Sequence, residues 1–257
     1  MHWLLQNNIF NESKFVELKE TLDRFGIPNS EHKVIPFIGE IEPDFDSPDG
    51  NVICWGSYSM RHLAKTKQWS PGVFDLFDQD FNQQLAHWGQ RMLNHDSQVM
   101  EFQNVVFTED QHFIRPIDDS KYFAGGVFDR YEFEDWQKKV CNLNEDYGNS
   151  LRPTTLVQLV NLKQIYREVR YWIVRGEIVT SSVYKIGSRV TYYPNIDETL
   201  DHYVRDCIGI WQPADAFVID VCETPDGPRI VEINTITASG FYAADIPKLV
   251  NAFERNF

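Results

Sequence analysis

The sequence predicts an α+β chain, and two observations predict it. Over the first hundred residues short apolar runs alternate with helical periodicity; beyond residue 100 the pattern turns to hairpins, the last of which carries acids on one face. The 257 residues suffice for one large domain or two small ones sharing a cleft. The expected division is a small α/β domain over 1–100 followed by an α+β domain over 101–257.

Within the first part, residues 2–6 form a strand, and Asn11-Glu-Ser-Lys opens a helix with polar capping chemistry. Phe15, Leu18, Leu22 and Phe25 recur at helical spacing until Gly26 stops it. Residues 34–38 and 51–55 are strands separated by the acidic loop 40–50, and 57–67 is a helix. Residues 77–93 keep helical spacing through Phe81, Leu85 and Trp88, with Gly89 as an interruption. In the second part, 104–107 and 113–116 read as paired strands, followed by the loop 117–126, a helix at 133–141 and a strand at 156–160. Hairpins at 168–184 and 217–234 turn at Arg175-Gly-Glu and at Thr224-Pro-Asp-Gly, and helices cover 197–211 and 246–253.

Composition narrows the function. A hydrophobic content of 42% supplies a packed core, and a formal charge of −14 argues against a nucleic-acid partner, which calls for a basic footprint. Cys54, Cys141, Cys207 and Cys222 lie far apart without CxxC spacing, so they are expected as reduced core residues. The start has no basic segment, and no apolar run approaches the roughly 20 residues of a membrane span. The expectation is a soluble cytoplasmic protein without a membrane partner; oligomerisation is left open.

The last hairpin is the most informative stretch. Phe217, Ile219 and Val221 share one strand face, as do Val231 and Ile233 on the partner strand. With Asp226 at the turn centre, Asp220 stands opposite Glu232, and Asp220, Glu232 and Asn234 share the other face. Two carboxylates and an amide oxygen are hard ligands suited to Mg²⁺; the same pattern also describes a solvated strand face. In the earlier hairpin Glu168, Arg170, Trp172 and Val174 share a face, opposite Thr180, Ser182 and Tyr184. Glu168 and Arg170 are either a surface ion pair or a phosphate-directed guanidinium with its partner. A third element is Arg115-Pro116 at a strand end, followed by Lys121 and the Gly125-Gly126 pair.

Together these elements resemble the ATP-grasp superfamily over roughly residues 100–257. Its final motif, an Asp on one strand and Glu-x-Asn on the next, is matched by Asp220 and Glu232-Ile-Asn234, and its acid-x-Arg strand by Glu168-Val-Arg170. Most members have Lys-Pro before the glycine-rich loop; Arg115-Pro116 stands here, with Lys121 as the second cation. That departure resembles a phage and bacterial branch predicted to hold peptide or amino-acid ligases. Residues 156–160, with Gln158 and Val160, resemble the segment whose backbone holds adenine; the ribose-binding acid expected after it is replaced by Asn161-Leu-Lys-Gln.

The resemblance implies an ATP-grasp fold preceded by a small α/β domain, with ATP and Mg²⁺ as cofactors. It implies metal ligation by Asp220, Glu232 and Asn234, nucleotide contacts from Arg115, Lys121, Gln158, Val160, Glu168 and Arg170, and catalytic roles for Arg170 and Lys121. The implied reaction activates a carboxylate as an acyl phosphate for attack by an amine. A small-molecule kinase using the same cleft, or a non-catalytic nucleotide binder, is the alternative. Other candidates are plainer: the histidines lack metal spacing, Ser57 reads as a helix N-cap and the tryptophans as core, while Thr235, Thr237, Ser239 and Gly240 either line the acceptor-substrate pocket or form a plain loop into the last helix.

Overall fold

The computed structural model describes residues 1–8, 13–35, 40–76, 78–117, 123–142 and 151–257. The chain divides into two compact units, one of residues 1–76 with 165–257 and the other of 77–164. Compactness thus cuts the chain at 76 and 164, not at residue 100.

The first unit begins with β1 (His2–Gln6), α1 (Ser13–Phe25), β2 (Asn29–Ile35), β3 (Glu40–Glu42), β4 (Asn51–Trp55), α2 (Met60–Thr66) and β5 (Ser70–Gly72). These build a sheet of order β3-β2-β1-β4-β5, parallel except for the short β3 at its edge. Period 2 explains why the middle of β1 and most of β4 are apolar on both faces. Trp3, Leu5, Ile53 and Trp55 pack with Phe15, Leu18 and Leu22 of α1, whereas Leu4, Val52 and Cys54 pack with Met60, Leu63 and Ala64 of α2. Gly26, at φ +67°, ends α1 as expected, but Phe25 is 41% exposed, so the apolar stripe stops at Leu22. The strand expected at 34–38 starts earlier, at Asn29, and residues 36–39 lie outside those described. Ser57 does not cap α2: Ser59 holds that position, and the Ser57 N–H donates to Gln6 Oε1 at 2.7 Å.

The second unit holds α3 (Phe81–Trp88), β6 (Gln98–Glu101), β7 (Gln111–Pro116), β8 (Gly126–Asp129), α4 (Arg130–Cys141) and β9 (Leu156–Val160). Its antiparallel sheet runs β6-β9-β7-β8, with Phe102, Ile114, Phe133, Val157 and Leu159 in its core. The expected strand at 104–107 is absent. Residues 102–104 form a single 3₁₀ turn, and β7 pairs with β8 and β9 instead. Cys141 is exposed at the end of α4, against the expectation of a core thiol, while Cys54, Cys207 and Cys222 are buried; all four are free.

The first unit resumes with β10 (Arg167–Val174), β11 (Glu177–Ile186), β12 (Arg189–Pro194), α5 (Glu198–Ile210), β13 (Ala216–Thr224), β14 (Gly227–Asn234) and α6 (Ile246–Asn256). The strands form an antiparallel sheet of order β12-β11-β10-β13-β14. Arg175 and Gly176, both at positive φ (49° and 78°), make the tight turn between β10 and β11. Asp197 caps α5 by accepting from the Thr199 and Leu200 N–H groups. One face of this sheet changes character along its length. Val174 with Ala216 and Trp172 with Val218 pair at one end and join the core formed by α1, α6, β1 and β4; Arg170 with Asp220 and Glu168 with Cys222 come next on the same face. The polar residues Arg170, Asp220 and Glu168 therefore continue the face of a packed strand pair and are themselves buried.

Candidate active site

Non-sequential pairing assembles the polar row. β10 lies between β11 and β13, so Arg170 stands opposite Ser182 on one side and Asp220 on the other, and Asp220 in turn stands opposite Glu232. The Asp220/Glu232 register matches the expectation, though for a different reason. The turn is centred between Pro225 and Asp226, because Thr224 pairs with Gly227; continued without interruption, that register sets Asp220 against Val231. A bulge between Asp220 and Val221 leaves Val231 unpaired and restores Glu232 to Asp220. The apolar partners on β14 are consequently Ile230 and Ile233, not Val231 and Ile233.

Arg170 grips Asp220 with both prongs: Nε donates to Oδ1 at 2.8 Å and Nη2 to Oδ2 at 2.7 Å. The residues are 7% and 1% exposed, so this is a buried, bidentate ion pair. The Asn234 side-chain amide donates to Asp220 Oδ2 (3.3 Å) and Glu232 Oε1 (3.1 Å), joining the two carboxylates. Glu168 does not pair with Arg170. Its carboxylate accepts from the Tyr184 hydroxyl at 2.6 Å and meets Lys185 Nζ at 2.8 Å. Above Arg170 lie two rings, Tyr242 with its centroid 4.7 Å from the guanidinium carbon and Tyr184 at 5.8 Å.

The electrostatics follow from burial. Burial pushes the Asp220 carboxyl above the ordinary carboxylate range, Arg170 pulls it back, and neighbouring Glu232 adds to the rise. Burial alone tends to strip the proton from Arg170, but the Asp220 carboxylate outweighs it, so the guanidinium stays charged. The Tyr184 phenol is pushed well up by burial and by the Asp220 and Glu168 charges, which keeps it a hydrogen-bond donor.

Among the described residues no three His, Cys, Asp or Glu converge as a metal cluster. Two carboxylates tied together by an amide nevertheless fit a hard divalent cation that takes its remaining ligands from water and phosphate oxygens. Removing the Asp220/Glu232 repulsion is what such a cation does best.

The second unit carries the other predicted residues. Arg115 on β7 stands opposite Gln158 on β9, and Val160 opposite Phe113. Gln158, 2% exposed, accepts from Ser97 Oγ at 3.3 Å. Gly125 lies so close that a Cβ there meets Arg115 Cβ at 2.8 Å, so only glycine lets the chain pass the arginine. Lys121 lies outside the described residues. A cavity of about 510 Å³ in this unit, lined by Glu109, Asp110, Gln111, Asp129, Asn161 and Leu162, contains none of the predicted residues.

Beyond β14 the chain turns through Thr235 to Gly240. Thr237 accepts at its carbonyl from the Gly56 N–H at 2.9 Å, which ties this loop to the C-terminal end of β4. Ser239 Oγ donates to the Thr235 carbonyl. Sequence reasoning missed both the Arg170–Asp220 grip and Tyr242. The only local sign of Tyr242 is its position beside the loop after the Glu-x-Asn motif.

A family model described as an ATP-grasp domain, clade family 3, matches residues 54–253. The search of curated protein sequences found no match. Among solved structures, the D-cycloserine synthetase DcsG is 14% identical over 100% of both chains, with a TM-score of 0.64. A RimK domain ATP-grasp protein from Sphaerobacter thermophilus is 11% identical over 93% of this chain and 92% of its own (TM-score 0.62). The macrocyclase MdnC from Microcystis aeruginosa, bound with its precursor peptide MdnA, is 13% identical over 100% of both chains (TM-score 0.59). Likenesses at this identity speak to the fold, which they share over 93% of this chain or more.

Proposed function

Because the chain belongs to this ATP-grasp family, we propose that it is an ATP- and magnesium-dependent carboxylate–amine ligase acting on an amino acid, peptide or protein. The observation that carries this reading is the row Arg170–Asp220–Glu232, with Asn234 joining the two acids. The named activities of similar folds, a synthetase and a macrocyclase with its precursor peptide, support joining chemistry.

In this reading Asp220, Glu232 and Asn234 would hold Mg²⁺, which would supply charge neutralisation as the phosphoryl group is transferred. Arg115 and Lys121 bind the phosphates, and the backbone of Gln158 and Val160 holds adenine. A substrate carboxylate oxygen attacks the γ-phosphorus, the bond to the bridging oxygen breaks, and ADP leaves. An amine nitrogen then attacks the acyl carbon, inorganic phosphate departs, and the amine gives up a proton. Arg170 would hold the γ-phosphate or the tetrahedral intermediate. Glu168 acts by fixing Tyr184 and Lys185. No side-chain nucleophile is required.

The test is ADP release measured across pairs of carboxylates and amines. Release that requires both partners is the ligase outcome, and release with the carboxylate alone is the kinase outcome. Glu232→Gln is expected to abolish release in either case while the protein stays folded. Undiminished magnesium-dependent turnover in that variant overturns the metal assignment.

A further inference from the structure

The Arg170–Asp220 pair raises a question of partners. Both Asp220 oxygens are engaged by Arg170, at 2.8 and 2.7 Å, so a cation that binds Asp220 directly must compete with the guanidinium for the same oxygens. An arginine that is 7% exposed and stripped of its carboxylate is costly unless something else receives its charge. The candidates nearest to hand are the Gly240 carbonyl, 3.4 Å from Nη1, and the faces of Tyr242 and Tyr184.

Those rings are held in place without Arg170. Tyr242 has φ +51°, in the left-handed region that a residue with a side chain enters only where its surroundings force it. The forcing contacts follow directly: the Ala243 N–H donates to Ser182 Oγ at 3.1 Å, Ala244 to the Phe241 carbonyl at 2.9 Å, and Asp245 to Thr180 Oγ1 at 3.0 Å. The ring stacks on Tyr184 (centroids 5.3 Å apart) and on Tyr192 (4.9 Å, 9° between planes). Tyr184 is anchored in turn by its hydroxyl on Glu168.

We infer that Tyr242, with Tyr184, is a second seat for the Arg170 guanidinium, occupied in full when a divalent cation takes Asp220. Tyr242 is then a positioning residue: it touches no reacting atom, but it makes Asp220 available to the ion and keeps Arg170 beside the site. A cation–π contact strengthens when the cation is desolvated and no longer shared with a carboxylate, so the seat counts for more in the ion-bound state than in the ion-free one. The inference rests on the proposed role of Asp220, Glu232 and Asn234 as ligands.

The experiment measures Mn²⁺ binding to the nucleotide-free protein by electron paramagnetic resonance of the free ion. Arg170→Gln removes the competitor and is expected to tighten binding. Tyr242→Leu changes no charge near the acids, yet it is expected to weaken binding by roughly three- to tenfold. Tyr242→Phe, which keeps the ring, is expected to stay within about twofold of wild type. The double variant Arg170→Gln/Tyr242→Leu is expected to behave like Arg170→Gln alone, because the ring acts through the arginine. Unchanged affinity in Tyr242→Leu overturns the second seat, and so does an equal loss when the same change is made in the Arg170→Gln background. Glu232→Gln separates the two layers. If Mn²⁺ binding survives it, the ligand assignment fails and the seat fails with it; if binding is lost while Tyr242→Leu is silent, only the seat fails.

Discussion

Asp220 and Glu232 face each other across one strand pair, but their surroundings give them different tasks. Asp220 is 1% exposed and neutralises a buried guanidinium, whereas Glu232 is only half-buried. Asp220→Asn leaves Arg170 charged and unpaired in the interior, a loss of about 3 kcal/mol or more in unfolding free energy. Glu232→Gln relieves repulsion with Asp220 and is expected to leave stability level or slightly raised. Urea unfolding of both variants checks this, and equal losses contradict it. Arg170→Lys tests the fork itself. Lysine keeps the charge but cannot reach both Asp220 oxygens as the guanidinium does. ATP affinity is expected to hold while kcat falls about a hundredfold, the scale on which one lost transition-state donor is felt. Wild-type kcat in this variant removes Arg170 from the chemistry.

At the scale of elements, the site depends on two irregular points in the antiparallel sheet. The bulge at Val231 turns Glu232 and Asn234 toward Asp220, since a one-residue slip exchanges the faces of a strand. The turn at Arg175-Gly176 pairs Val174 with Glu177, and a bulge between Trp172 and Ile173 then shifts the register so that Ser182, not Ser181, stands beside Arg170. Gly176 sits at φ +78°, and a Cβ there comes within 3.1 Å of the Gln212 side chain. Gly176→Ala is therefore expected to lower stability by about 1–2 kcal/mol, the cost of the left-handed region for a residue with a side chain. Thermal unfolding checks it, and an unchanged Tm contradicts it. These elements also show what sequence makes visible. Period 2 made Asp220, Glu232 and Asn234 legible as residues of one face, and the expected facing of Asp220 and Glu232 held only because the bulge offsets a turn centred between Pro225 and Asp226. The bulge itself was not legible, because it leaves the apolar count of β14 unaltered. The pairing of β10 with β13 was not legible either, because β11, β12 and α5 lie between them in the chain, and with it went the partner of Arg170.

At the scale of the whole molecule, the same contrast separates local from distant order. Strands at 2–6, 51–55 and 156–160 were legible to the residue from their apolar runs. The division into units was not, because the first unit is made of two stretches that meet only in three dimensions. The packing within the first of these stretches is testable through pH. His2, in β1, stacks on Phe45 at 4.3 Å and joins Ser30 Oγ through Nε2 at 2.7 Å; Ser30 Oγ is also shared with His32 Nε2. His32 Nδ1 meets the Pro43 carbonyl at 2.6 Å and so carries the proton, which leaves Nε2 to accept from Ser30; the His2 Nε2–H then donates to Ser30. Burial holds the His2 ring below the ordinary histidine value, and the charge of the chain's amino end adds to this. The sign follows from linkage. Near pH 7 and above, His2 is neutral in the folded and unfolded chains alike and does not tilt the balance. As pH falls through about 6.5, the unfolded chain takes up a proton that folded His2 resists, so stability drops until the lower folded value is passed. Asp220, whose carboxyl is raised, works in the opposite direction, so the comparison must be made between variants that share it. His2→Gln preserves a donor toward Ser30 and cannot titrate. Its unfolding free energy, measured from pH 7.5 to 5.5, is expected to fall less steeply than that of wild type, by at most the slope of one proton. Parallel curves show that His2 is not a group through which acid loosens the β1–β2 pairing.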